Sequence, residues 1–97
     1  MATFITLVNF TDQGVRSIKE SPKRAEAFKA MAAKAGAKVK ELYWTLGHYD
    51  IVTIVEAPDT ATATALGLAV ASQGNVRTET LTAFPSDEFG KILGKMP

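Results

Sequence analysis

Ile51-Val52-Thr53-Ile54-Val55 presents apolar groups to both sides of an extended chain, because successive side chains of a strand point to opposite faces. A strand that is apolar on both faces has to be covered on both, so this run reads as a central strand. Residues 3–10 repeat the pattern. Phe4, Thr6, Val8 and Phe10 fall on one face and Thr3, Ile5, Leu7 and Asn9 on the other, and both faces carry large apolar groups. Two such strands in a chain of 97 residues limit the fold more than any other feature. Whatever layer lies above the sheet, something must also lie below it.

The remaining segments supply one layer. Thr11 is placed to cap a short helix, with Asp12 in its first turn and Gly14 weakening it. Ser21-Pro22 marks a clearer helix start, Ser as N-cap and Pro at the first helical position. Ala25, Phe28, Met31, Ala32 and Ala35 then recur on one side, Lys23, Glu26 and Lys34 lie off that stripe, and Gly36 closes the helix. Strand two is expected over 39–46, its start crowded by Lys38, Lys40 and Glu41 as suits a sheet edge. Strand three spans 49–57, and Pro58-Asp59 stops it and caps a helix over 60–73. The stripe of that helix, Ala63, Leu66, Gly67 and Val70, permits close approach to a sheet, and Gly74 ends it. Strand four, 76–84, alternates Thr78, Thr80 and Thr82 with Leu81 and Ala83. Pro85-Ser86 opens a last short helix with Phe89, Ile92 and Leu93 on one side.

The order β-α-β-β-α-β is the ferredoxin-like plan. It predicts a single α+β domain over 1–97: a four-stranded antiparallel sheet with two main helices on one face. Strands one and three sit in the middle of that plan, and they are the two that are apolar on both faces. Two helices cover one face only. The other would expose a contiguous apolar patch, and the simplest cover is the same face of a second copy. That arrangement is a dimeric α+β barrel. The pattern leaves open which of the two faces is the uncovered one.

Composition narrows the chemistry. There is no Cys, so there is no disulfide framework, thiolate metal site or Cys nucleophile. No apolar run approaches the roughly 20 residues of a membrane-spanning helix, and membrane association is not expected. Met1-Ala2-Thr3-Phe4 lacks a positive stretch ahead of an apolar one, so a cytoplasmic location is expected. The net charge is +1, unevenly spread. Residues 1–40 hold eight bases against three acids, and residues 41–97 hold seven acids against three bases. No aromatics are interleaved with the basic half for base stacking. Nucleic acid is therefore not an expected partner, and weak binding to DNA should vanish with salt.

Tyr43-Trp44-Thr45-Leu46-Gly47-His48-Tyr49-Asp50 holds both tyrosines, the only tryptophan and the only histidine, and reads as the turn of a β-hairpin. With Ile51-Val52, and on to Glu56-Ala57-Pro58-Asp59, it resembles the GYD domain family, named for a Gly-Tyr-Asp signature. Thr11-Asp12-Gln13-Gly14-Val15 and Ser21-Pro22-Lys23-Arg24 are similar to that family's first helical region. One departure is His48, which stands between the Gly and the Tyr. The resemblance spans nearly the whole chain. It implies a small ferredoxin-like domain of the dimeric α/β barrel type, bacterial or archaeal, with no settled activity.

One end of the expected sheet gathers polar and aromatic groups, and its candidate ligand-binding residues are Thr11, Gln13, Tyr43, Trp44, His48, Tyr49, Asp50 and Arg77. Each also has a structural reading. Tyr43 and Trp44 point to opposite faces and pack there. His48 is an exposed turn residue, and Gly47 supplies the φ > 0 that the turn requires. Asp50 accepts hydrogen bonds from free N–H groups near the start of the first helix. A single His without Cys offers too few ligands for a metal. No phosphate loop, Ser-His-Asp order or Glu-x-x-His motif appears. No catalytic residue, metal or cofactor is therefore expected. The reading is a homodimeric or larger homo-oligomeric module that binds a small molecule, or acts as a sensor or assembly unit. Alternatives are a cofactor-independent monooxygenase or isomerase, by analogy of fold, and a purely structural interaction domain.

Overall fold

The two doubly apolar runs form neighbouring central strands. The computed structural model describes residues 1–97. Strand β1 (Ala2–Phe10) lies between β3 (Ile51–Ala57) and β4 (Val76–Ala83), and β2 (Lys38–Trp44) flanks β3, giving the order β2-β3-β1-β4. All three pairings are antiparallel. Four α-helices and a one-turn 3₁₀ helix complete the chain: α1 (Asp12–Arg16), α2 (Ser21–Lys34), α3 (Thr60–Ser72) and α4 (Ser86–Leu93), with the single turn at Ile18–Glu20. This is the ferredoxin-like α+β fold expected from the sequence, with α2 and α3 as the two main helices.

Register decides which face is which. Phe4 pairs with Val55 and Thr82, and Val8 with Ile51 and Thr78. Phe4, Val55, Ala32, Ala63 and Leu66 share one buried cluster, so α2 and α3 cover the face of the even-numbered β1 residues. α2 lies against β2 and α3 against β4. The uncovered face is therefore that of Thr3, Ile5, Leu7 and Asn9. Lys40 is an extra residue in β2, because the pairing jumps from Val39 to Glu41 opposite Val55 and Ile54. Such a bulge adds twist and disrupts an edge strand as a template for further pairing.

The turn chemistry explains the element ends. Thr11 caps α1 by accepting from the Gly14 N–H at 3.2 Å, and Asp59 caps α3 by accepting from the Thr62 N–H at 2.7 Å. Gly36 and Gly74 take positive φ just beyond α2 and α3, and Gly47 has φ 121° in the hairpin. β2 stops at Trp44, short of the expected 46, because the Thr45 N–H already closes the loop on the Asp50 carbonyl at 2.8 Å. Ser21 does not cap α2. A one-turn helix, Ile18–Glu20, runs directly into α2, and the N-cap is Glu20, with no side-chain cap bond. The Ser21 hydroxyl is buried instead and accepts from Trp44 Nε1 at 2.9 Å.

Candidate functional site

Three places are candidates: the rim that the sequence singles out, the uncovered sheet face, and the space beneath the helices. At the rim, polar side chains are matched with main-chain groups. The Thr11 hydroxyl donates to the Gly74 carbonyl at 2.6 Å, and the Gln13 amide donates to the Gln73 carbonyl and the Asn75 side chain. Asp50 Oδ2 accepts from the Phe10 N–H at 2.8 Å while the Asp50 N–H donates to the Val8 carbonyl. The carboxylate thus extends the β1–β3 ladder by one rung at the strand end, one residue before α1 is capped. Gly14 lets this junction close. A Cβ there would run into the Asn75 carbonyl, whose oxygen is held by the Thr11 N–H at 3.0 Å.

The other candidates lie apart. Trp44 reaches Ser21 on the helix side, and His48 is exposed at the hairpin tip. Tyr43 and Arg77 sit on the uncovered face, where Tyr43 pairs with Val52 and Arg77 with Asn9. Tyr49 OH donates to Glu79 on β4 at 3.3 Å, reaching across the end of β1. Tyr43 OH donates to Glu41 at 2.7 Å. The hydrogen bond to Glu41, then its charge, raises the Tyr43 pKa. The charge of Glu79, with burial and the hydrogen bond adding to it, raises that of Tyr49. The eight residues thus do not converge on one spot. Three tie the rim, three mark the uncovered face, one sits under α2 and one faces solvent.

The uncovered face is one apolar block. Tyr43, Val52 and Leu7 form one row across it, and Ile54, Ile5 and Leu81 form the next. Tyr43 is 54% exposed and Leu81 42%. Glu41 and Glu79 stand at its two edges, each holding a tyrosine hydroxyl. α4 adds a second uncovered apolar surface, since none of its residues is buried and Phe89 and Leu93 are each half-exposed.

Beneath the helices the core is divided. One buried cluster surrounds Phe4 and Leu66, and another joins Val8, Ile51 and Val76. Between them lies a cavity of about 90 Å³. It exists because small residues stand where bulk would fill it. Thr53, Thr6 and Thr80 form a row across the sheet, and Ala25, Ala63 and Gly67 face them from the helices. The Thr53 hydroxyl donates to the Glu41 carbonyl at 2.7 Å, and Thr6 and Thr80 share a bond of 3.3 Å. Arg24 is the only ionisable residue in the lining. Its guanidinium donates to the Ser17 carbonyl at 3.0 Å and the Gly14 carbonyl at 3.5 Å. A cleft of about 70 Å³ between α2 and α3 adjoins the cavity through Arg24, Phe28, Val70 and Val76. None of the eight candidate residues lines the cavity. Arg24 is not among the candidate residues read from the sequence, although its position four residues before Phe28 puts it at the edge of the α2 stripe.

No group of His, Asp and Glu residues is arranged to hold a metal ion, and no helix is long and apolar enough to cross a membrane.

Comparison with known proteins places these features in a family. A Thermus thermophilus protein described as a glutamine synthetase and cystathionine beta-lyase binding protein is 41% identical over 86 residues, spanning 88% of this chain and 90% of its own. A crystal structure of a Thermus thermophilus protein superposes with a TM-score of 0.57 at 27% identity, over 89% of this chain and 96% of that one. The feast or famine regulatory protein of M. tuberculosis, solved with L-methionine, matches with a TM-score of 0.64 at 20% identity, over 90% of this chain and 54% of that one. At that identity the last likeness concerns the fold alone. The GYD domain matches residues 4–93, and the chain belongs to the GYD domain family.

Proposed function

We propose that this protein is a non-catalytic, homodimeric binding module that docks on an enzyme of nitrogen or sulfur amino-acid metabolism and regulates it. The observation that carries this reading is the relative at 41% identity over 88% of the chain, whose description names glutamine synthetase and cystathionine beta-lyase as the proteins it binds. The structure supports it in two ways. The polar groups at the rim are matched with main chain rather than gathered into a reactive centre. The large uncovered apolar surfaces suit association: the sheet block for a second copy of the chain, and the α4 stripe of Phe89, Ile92 and Leu93 for a further contact.

The test is sedimentation of the purified protein, alone and with purified glutamine synthetase or cystathionine beta-lyase from the same organism. The expected result is a dimer that co-sediments with at least one of the two enzymes, and loses that enzyme when Phe89 and Leu93 are both replaced by Ser. A protein that co-sediments with neither enzyme sinks the proposal.

A further inference from the structure

We propose that the cavity between the sheet and helices α2 and α3 is a binding site for a small monocarboxylate with a short aliphatic tail, its carboxylate held by Arg24. This inference rests on the cavity alone and is independent of enzyme docking.

The space is built into the sequence. A chain that lines the centre of its core with Thr6, Thr53, Ala63 and Gly67 forgoes packing that larger side chains would give. A Cβ added at Gly67 would meet only Thr78 Oγ1, at 3.8 Å, so even on the α3 wall there is room to spare. At about 90 Å³ the cavity exceeds by several-fold the roughly 10–15 Å³ that one water requires. Its size suits a ligand of a few carbon atoms.

Charge sets the ligand class. Arg24 is half-buried, and its partners in the chain, the carbonyls of Ser17 and Gly14 and the Ser17 hydroxyl, are all neutral. The two ion pairs of the protein, Lys23–Glu20 and Lys29–Glu26, do not involve it. A guanidinium carries five donors in a planar fork that matches a carboxylate. Arg24 Nη1 donates to the Ser17 carbonyl and hydroxyl and Nη2 to the Gly14 carbonyl, so Nε–H and one Nη2–H make no hydrogen bond within the chain. The rest of the lining disfavours competitors. Apolar walls penalise a strongly hydrated anion such as phosphate or a dicarboxylate. No acidic residue lines the cavity, so an amine is repelled by Arg24, and an α-amino acid brings an ammonium group that nothing there neutralises. The hydroxyls of Thr6, Thr53 and Ser21 are already engaged with Thr80, Glu41 and Trp44, and beside the Thr78 hydroxyl Arg24 is the one charged anchor in the lining.

The experiment is a titration of the full-length ¹⁵N-labelled protein with isovalerate, followed by amide shifts. Isovaleramide, isopentylamine and leucine serve as matched probes of the same tail. The expected result is saturable shifts at Arg24, Phe28, Thr53 and Gly67 with isovalerate. Isovaleramide and isopentylamine should bind at least about tenfold more weakly, as loss of a charge-assisted hydrogen-bond pair implies, and leucine should also bind more weakly because its ammonium group finds no acidic partner in the lining. Arg24→Gln should weaken isovalerate by a similar factor. Gly67→Leu should fill the cavity and abolish the shifts without lowering the melting temperature. Because Arg24 also ties Ser17 and Gly14, Arg24→Gln could loosen the fold, and the amide probe on the unaltered protein then decides. Isovaleramide binding as tightly as isovalerate, shifts confined to the uncovered sheet face, or no saturation with any probe would each overturn the proposal.

Discussion

The two faces of this sheet are built from alternate residues of the same strands, yet they are packed in opposite ways. The face under α2 and α3 is covered by helices but incompletely filled: a row of threonines divides its core, and a cavity occupies the gap. The other face is open to solvent and continuous, with Tyr43, Val52 and Leu7 beside Ile54, Ile5 and Leu81. Interiors normally approach crystal-like packing density, and exposed surfaces normally avoid large apolar blocks. Each face departs from the usual rule. The difference suggests that the covered face keeps room for a ligand and the uncovered face is made to meet another protein surface.

Neighbouring substitutions on β1 should separate the two faces most sharply. Val8 is buried under the helices and Leu7 points the other way. Val8→Asp places an unpaired charge in the core and should abolish the folded state. Leu7→Asp should leave a folded chain with native circular dichroism but dissociate the dimer to monomers in sedimentation. If the unaltered protein is a stable monomer at micromolar concentration, the uncovered face has no second copy and this half of the comparison fails.

Truncations should show the same division with a smaller effect. Phe4 is 2% exposed at the centre of the main cluster. Phe4→Ala should cost about 3–5 kcal/mol in denaturant unfolding, whatever the protein concentration. Ile5→Ala should act mainly through association, so its effect on the melting temperature should shrink as the protein is diluted. Equal, concentration-independent losses at both positions would show that the two faces are stabilised within a single chain.

At the rim, glycine substitutions distinguish close approach from backbone conformation. Gly14→Ala forces the new methyl against the Asn75 carbonyl and should cost about 1–3 kcal/mol as overpacking. Gly47 has open space around it but φ 121°, so Gly47→Val should cost about 1–3 kcal/mol through backbone strain instead. Gly47→Asn should recover much of that loss, because Asn tolerates positive φ better than β-branched residues do, whereas Gly14→Ser should recover nothing.

These differences mark where the sequence could be read and where it could not. Strand order, the two main helices and the caps at Thr11 and Asp59 were legible, since each depends on alternation, stripe or cap chemistry within a few residues. Ser21 read as a cap because Ser-Pro is a good local start, but its hydroxyl is taken by Trp44, 23 residues away. The bulge at Lys40 and the identity of the uncovered face depend on register between strands, which local pattern does not fix. The gathering of Thr11, Gln13 and Asp50 at one end followed from topology, and so did the N–H groups that Thr11 and Asp50 accept from, but the bonds that Thr11 and Gln13 donate to the Gly74 and Gln73 carbonyls did not. Arg24 and the threonine row are meaningful only together with the cavity, and a cavity is a property of what three strands and two helices fail to fill.

The smallest effects should come from titration, and they too divide by face. Asp59 caps α3, one of the covering helices, and the hydrogen bonds from Thr62 hold its pKa below the ordinary carboxylate value. A lowered pKa means a contribution that is present above the unfolded value and lost as pH falls through the folded one. Acid should therefore loosen the covered side first, and Asp59→Asn should remove that pH dependence while keeping a cap. Tyr43 and Tyr49 lie at the uncovered side with raised pKa values, Tyr43 chiefly through the hydrogen bond it donates to Glu41 and Tyr49 chiefly through the charge of Glu79. A raised pKa means a contribution fully present below the ordinary phenol value of about 10 and lost as pH rises through the folded values. Both hydroxyls are exposed in the single chain, so the effect there should be slight, but a second copy laid over the sheet would shield both pairs. Alkali should then promote dissociation before unfolding. The check is sedimentation from neutral pH to about pH 11, comparing the unaltered protein with a Tyr43→Phe, Tyr49→Phe double variant. The double variant should keep its dimer further into alkali. Identical alkaline profiles for the two proteins would place both tyrosine hydroxyls outside the contact between copies.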